Sequence, residues 1–228
     1  MKNKILIFGA GEIAELAQFY FEHDSNFKVI AFCADDEFID KDTFNGLPLI
    51  ALSEINKSFS PLKYMAHVAL SYRGLNRIRE DKYKILKQLG YELVSYISTK
   101  SVYWNDLNHG DNCFILENQT IQPGVKIGSN VMIWSGNHIG HATEIKDHVY
   151  ISSHVVISGH CEIGERSFLG VNAAIKDFTK IGKENFITMG ANVVTDSSDG
   201  DVHLAGMGTV FKGGSEKAEK IKKKYFNL

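Results

Sequence analysis

Five of the nine histidines of this chain lie close together, at His138, His141, His148, His154 and His160. Imidazole changes charge near neutral pH, so it can take a proton from a nucleophile or ligate a metal. Phase separates the five. His148, His154 and His160 each follow an aliphatic residue by three positions, an outward phase in which a histidine is most simply surface. His141 follows Ile139 by two, in the run Ser135-Gly136-Asn137-His138-Ile139-Gly140-His141, and is expected to point outward beside a corner. A second set stands near the start: Gly9-Ala10-Gly11-Glu12-Ile13-Ala14 has the G-x-G-x-x-A form of a nucleotide-binding turn. Asp35 and Asp36 follow where a ribose-binding carboxylate belongs. A third set, Ser71-Tyr72 and Asn76-x-x-Arg79, falls after a predicted strand, at the sheet edge where open α/β domains bind ligands. There Arg77 and Arg79 could meet phosphate, or face water with Lys82, Lys84 and Lys87 on a basic helix.

The elements that must position these residues follow two plans. From Ile115 to Val193 every sixth position is Ile, Leu or Val, fourteen in succession. A period of six fits neither a helix at 3.6 nor an alternating strand at 2, but fits a coil of three short strands, eighteen residues per turn. Two positions before most of the aliphatic residues the chain keeps small or β-branched types, among them Val131, Thr143, Val149, Cys161, Ser167 and Ala173, as a narrow interior requires. Gly128, Gly140, Gly164, Gly170 and Gly182 follow directly after aliphatic residues, where a positive φ at the corner would explain them. The first hundred residues read instead as βαβ: strand 4–8, helix 12–23, strand 27–33, strand 66–70, a basic helix 76–89 and a strand 93–96. The expected division is a small Rossmann-like α/β domain over 1–98, a parallel β-helix over 99–196 with 98–110 as a bridge into it, and a C-terminal extension over 197–228 ending in a short Lys-rich helix.

Composition narrows the function. A formal charge of −2 over 228 residues gives no reason to expect nucleic acid. The Ile5–Phe8 run is too short for a secretory core, and no segment is long and apolar enough for membrane insertion. Cys33, Cys113 and Cys161 lack paired spacing and read as reduced core residues. A cytoplasmic location is expected.

The hexads resemble those of the hexapeptide-repeat acyltransferases, whose prism is a left-handed parallel β-helix; the hand is implied by the resemblance, not by the spacing. The run Gly136–His141 is similar to that of the perosamine- and viosamine-type nucleotide-sugar N-acetyltransferases, which carry an N-terminal Rossmann-like domain. The resemblance implies acetyl-CoA-dependent acetylation of a nucleotide-linked amino sugar, a 4-amino-4,6-dideoxyhexose, for surface-polysaccharide precursors. It implies His141 as general base and a homotrimer with acetyl-CoA in the groove between two prisms. Gly159, one coil above His141, would offer its N–H to the thioester oxygen, and Tyr150, Val171 and Met189 would contact the cofactor. Gly11, Glu12, Ile13, Asp35 and Asp36 would hold the nucleotide-sugar, with Ser71, Tyr72, Asn76 and Arg79 beside them. One departure stands out. Bacillosamine-type members place a glutamate directly after the base, whereas this chain has Ala142, leaving Glu144, Glu117 or Asn118, of the same or a neighbouring subunit, to orient the ring.

Other readings are weaker on the residues. A full dinucleotide needs more sheet than 98 residues provide. A prism carbonic anhydrase would bring three histidines to zinc, two of them five apart, and no pair in this repeat is so spaced; no metal is expected. Sugar O-acetylation of the sialic acid type would use the same base, and a non-catalytic assembly role would leave the prism without coenzyme.

Overall fold

The computed structural model describes residues 3–206 and 211–226. The N-terminal domain is a five-stranded sheet in the order β3-β4-β2-β1-β5, where β1 is Asn3–Phe8, β2 Phe27–Ala34, β3 Thr43–Phe44, β4 Leu47–Ala51 and β5 Met65–Val68. All pairs are parallel except β3 with β4. That hairpin turns on Asn45 and Gly46, both at positive φ, an Asn-Gly pair that marks a hairpin by residue type and that periodicity alone overlooks. Helix α1 (Glu12–His23) buries Ala14, Ala17 and Phe21, one stripe at helical spacing. A one-turn helix α2 (Ile55–Ser58) and α3 (Arg77–Gln88) complete the domain. The expected strand at 93–96 is not part of this sheet. Only Leu93 bridges Ala66, and Tyr96–Ile97 pairs with Phe114–Ile115 of the second domain.

The remainder winds as a left-handed parallel β-helix of three faces, each strand up to the last coil pairing with the one eighteen residues on, as Ile133 does with Ile151. The aliphatic series and the small residues two positions before it form one continuous buried core. The coil begins at Tyr96, three residues before the expected 99, and residues 98–110 are its first turn rather than a bridge: Val102 pairs with Thr120, and Asn108–His109 with Lys126–Ile127. Hexad counting misses that turn because Tyr103 and His109 occupy its aliphatic slots. At the far end Val202–His203 pairs with Phe186–Ile187 after the aliphatic series has stopped.

The corner glycines need a different explanation from the one expected. Positive φ falls three residues after each aliphatic position, at Asn130, Ala142, His148, His154, His160 and Arg166 among others. Gly140 and its equivalents sit one residue after the aliphatic position. There a Cβ on Gly140 would lie 2.5 Å from the nitrogen of Gly159 in the next coil, so they are glycine because successive coils touch.

The residue before each aliphatic position faces outward and gives each face its character. The first face carries Tyr96, Phe114, Met132, Tyr150 and Phe168, and the N-terminal domain packs on it through α1, forming a shared core with Ala17 and Phe21. The second carries Thr120, His138, Val156, Ala174 and Asn192, none acidic or lysine; the third carries Lys126, Glu144, Glu162 and Lys180. A last helix, α4 (Glu216–Phe226), is Lys-rich as expected. Among the described residues, no helix is long and apolar enough to cross a membrane.

Candidate functional site

Two features hold the residues singled out by sequence. One is a cleft of about 910 Å³ between the N-terminal sheet and the first face of the prism. The turn after β1 forms one wall. Gly9 has a φ of 135°, and a Cβ there would strike the carbonyl oxygen of Ala69 at 2.6 Å, which fixes glycine at this point. Gly11, Glu12 and Ile13 line the cleft, with Gly11 preceding α1, so helix N–H groups and the positive dipole end face the space. Asp35, Ser71 and Tyr72 line it too, as do Phe38, Lys41 and Arg73, which sequence did not single out. Lys82 pairs with Asp35 at 2.5 Å and stands 5.7 Å from the centre of the Phe8 ring.

The floor is prism. Trp134 donates its indole N–H to the Tyr150 hydroxyl, and the Tyr72 ring meets Tyr150 edge-on at 5.0 Å. Burial pushes the Tyr150 phenol up to about 12. Trp134 is thus half-buried under the protein's own N-terminal domain.

Three residues expected in the nucleotide site stand elsewhere. Asp36 turns away and accepts the Ser53 N–H at 3.1 Å. Asn76 and Arg79 are buried and fasten α3 to the prism. Asn76 donates to the Arg166 carbonyl at 2.9 Å, and Arg79 donates to the carbonyls of Asn130 and His148 and to the Asn76 side chain. Every coil-end carbonyl needs a donor once α3 covers that corner, and the guanidinium supplies them. Neither Asn76 nor Arg79 lines the cleft. Arg77, likewise, pairs with Glu184 at 2.5 Å.

The second feature is an open corner between the second and third faces, opposite the face that carries the cleft. His141 is exposed there. Its ring lies over Gly159, where a Cβ would come within 2.6 Å of the imidazole Cε1. The Gln122 side-chain oxygen takes the His141 backbone N–H at 2.9 Å and sits 3.2 Å from Nδ1. His160 meets the ring edge-on at 4.8 Å and itself stacks on Phe178 at 4.7 Å. Among the described residues no group accepts the Gly159 N–H. Within the protomer the three residues expected to orient His141 do not reach it: Glu117 takes the Tyr20 hydroxyl at 2.6 Å and Ser135 at 3.0 Å, Glu144 pairs with Lys146 at 2.9 Å, and Asn118 belongs to another corner.

Val171 and Met189 are exposed on the corner between the first and second faces, one coil apart. Tyr150 is on the first face, in the cleft, and so is separated from His141 by the width of the prism. His148 is buried, not outward, with Asn130 donating to its Nδ1 at 2.9 Å and Glu80 3.7 Å from its Nε2. Among the described residues, no group of three or more His, Cys, Asp or Glu side chains is placed to hold a metal ion.

Residues 107–141 and 124–159 match the family of bacterial transferase hexapeptide (six repeats). Among curated proteins the chain has no match. Among solved structures it is similar to the acetyltransferase domain of PglB from Neisseria gonorrhoeae FA1090 in complex with acetyl coenzyme A, at 23% identity and a TM-score of 0.78 over 89% of this chain and 96% of that one. PerB from Caulobacter crescentus in complex with CoA and GDP-perosamine matches at 21% identity and a TM-score of 0.78, over 88% of this chain and 93% of that one. WeeI from Acinetobacter baumannii AYE matches at 21% and 0.54, over 87% and 94%. The two-domain fold is common to all three.

Proposed function

We propose that this protein is an acetyl-CoA-dependent N-acetyltransferase acting on a nucleotide-linked amino sugar, a 4-amino-4,6-dideoxyhexose by the resemblance of its Gly136–His141 run. The observation that carries the proposal is an exposed imidazole laid over a glycine whose N–H has no partner among the described residues, on a fold whose neighbours include proteins solved with acetyl coenzyme A or with CoA and GDP-perosamine. The sugar amine attacks the thioester carbonyl, an N–C bond forms and the C–S bond breaks. His141 accepts the amine proton and the departing thiolate is protonated in turn. The Gly159 N–H supports the oxyanion. Val171 and Met189 follow the coenzyme's arm, and Gly11, Glu12, Ile13, Asp35, Ser71 and Tyr72 hold the nucleotide-sugar. Use of acetyl-CoA fits a cytoplasmic location.

Geometry favours a homotrimer. The cleft opens on the first face and His141 stands at the corner opposite, so a sugar held by one protomer meets the imidazole of another. The second face, between the His141 corner and the Val171–Met189 corner, lacks charged side chains along its strands and suits contact between copies. Measuring CoA release from acetyl-CoA against a panel of nucleotide-linked sugars tests the reading. Turnover only with amino sugars is expected; turnover only with sugars lacking an amine would make the protein an O-acetyltransferase, and none with either class would refute both.

A further inference from the structure

We propose that Gln122 is the positioning residue of the His141 imidazole, holding it by a neutral amide in the tautomer that leaves Nε2 bare. This rests on the reading of His141 as base. Gln122 lies one coil below Gly140, on the outer surface just short of the open corner. Its side-chain oxygen faces two nitrogens of the same residue, the His141 backbone N–H at 2.9 Å and Nδ1 at 3.2 Å. The backbone nitrogen can only donate, so the atom it meets must be the amide oxygen and not the amide nitrogen. An oxygen that can only accept then requires the proton of the ring to be on Nδ1. Nε2 is left with its lone pair and without a partner among the described residues, the state a general base needs.

Other candidates for this task are occupied or remote. Ala142, next in the chain, offers no acceptor, and Glu117 and Glu144 are engaged by Tyr20, Ser135 and Lys146. On its other sides the ring is bounded by Gly159 and by the edge of His160, neither of which supplies an acceptor to Nδ1. The His141 ring is thus seated by one neutral hydrogen bond and two steric contacts. A carboxylate in the same place would favour the protonated ring and make it slower to give its proton on; an amide fixes direction without adding charge.

The experiment uses the intact protein with 15N-labelled histidine, the His141 signals being assigned by their loss in His141→Asn. At neutral pH the wild-type ring is expected to show a protonated Nδ1 and an unprotonated Nε2. In Gln122→Met, which keeps length but removes the acceptor, the ring reverts toward the Nε2–H form favoured in solution. With GDP-perosamine and acetyl-CoA as probes, Gln122→Met lowers kcat about 10- to 100-fold with little change in KM for acetyl-CoA. Gln122→Glu restores turnover and moves the acid limb of the pH profile to higher pH, because a carboxylate beside the ring stabilises its charged form. A wild-type ring protonated on Nε2, or a Gln122→Met variant with the wild-type tautomer, overturns the proposal while leaving His141 as base untouched. If His141→Asn itself turns over normally, the reading of the base fails instead.

Discussion

Two of the prism's histidines, His148 and His141, stand at different corners and are treated in opposite ways. At the corner between the third and first faces, α3 is docked, and His148 is shut in with Tyr83, Asn130 and Glu80. Asn130 accepts from Asn112 through its oxygen and so donates through its nitrogen to His148 Nδ1, which places the His148 proton on Nε2 toward Glu80. At the corner between the second and third faces no element is docked among the described residues, Gln122 accepts from Nδ1, and Nε2 meets no partner among them. Ring chemistry is the same in both. What differs is the partner on Nδ1 and whether another element covers the corner, so one imidazole fastens domains and the other is available to a substrate.

The contrast can be broken from either side. The largest effect is expected at the closed corner: Arg79→Ala leaves the carbonyls of Asn130 and His148 without their donor and costs roughly 3–5 kcal/mol, read as a lowered urea midpoint. A phosphate-binding role would instead leave stability intact and weaken nucleotide binding. Acid acts on the same side of the molecule. Burial drives His67 from its ordinary 6.5 down to about 4 and also lowers His148. A histidine with a depressed native pKa binds its proton more readily when unfolded, so stability is complete above about pH 6.5 and declines as pH falls toward 4. For fully buried His67 this amounts to on the order of 3 kcal/mol. Glu80 extends the decline below pH 4.5. Burial alone would raise its carboxyl, but the Lys84 hydrogen bond and the charges of Arg166 and Lys84 outweigh burial and hold it low. Chemical denaturation at steps from pH 7 to 4 should show the loss, and His67→Gln should reduce it; an unchanged slope in that variant would contradict the assignment.

At the open corner the effects are on turnover rather than stability. Gly159→Ala puts a methyl against the imidazole and should lower kcat about 100-fold, with a melting temperature near wild type, since the corner is open to solvent. Glu144→Gln should be the mildest change, within about twofold in activity and about 0.5 kcal/mol in stability, because its partner Lys146 is a half-exposed surface contact. A large loss of activity in that variant would make Glu144, and not Gln122, the group that orients the ring.

The prism was legible from residue 115 onward because a stacked coil repeats its demands: the aliphatic slot recurs without exception, and the slot two positions before it is small or β-branched except where the buried amides Gln119, Asn137 and Asn185 bond to coil carbonyls. Legibility ended where Tyr103 and His109 stand in the aliphatic register, so the first coil passed for a bridge. In the N-terminal domain the glycine turn was readable, since Gly9 and Gly11 answer a local backbone requirement, and Asp35 lines the cleft beside them. Asn76 and Arg79 were not. Their type and spacing suit phosphate as well as they suit carbonyls, and only the docking of α3 on a distant corner decides between the two. Gln122 was hidden for the same reason: it meets His141 across coils, nineteen residues away, and no local pattern marks it. The outward residues of the three faces, aromatic, uncharged and charged in turn, were a signal available in the sequence. Sorting the hexads by threes would have found the docking face.

The most direct test of the open corner is acetyl transfer from acetyl-CoA to GDP-perosamine by His141→Asn, measured beside binding of acetyl-CoA to the same variant. The account predicts a variant that folds, binds the coenzyme as wild type does and transfers acetyl at least about 100-fold more slowly. Wild-type transfer by that variant would contradict it.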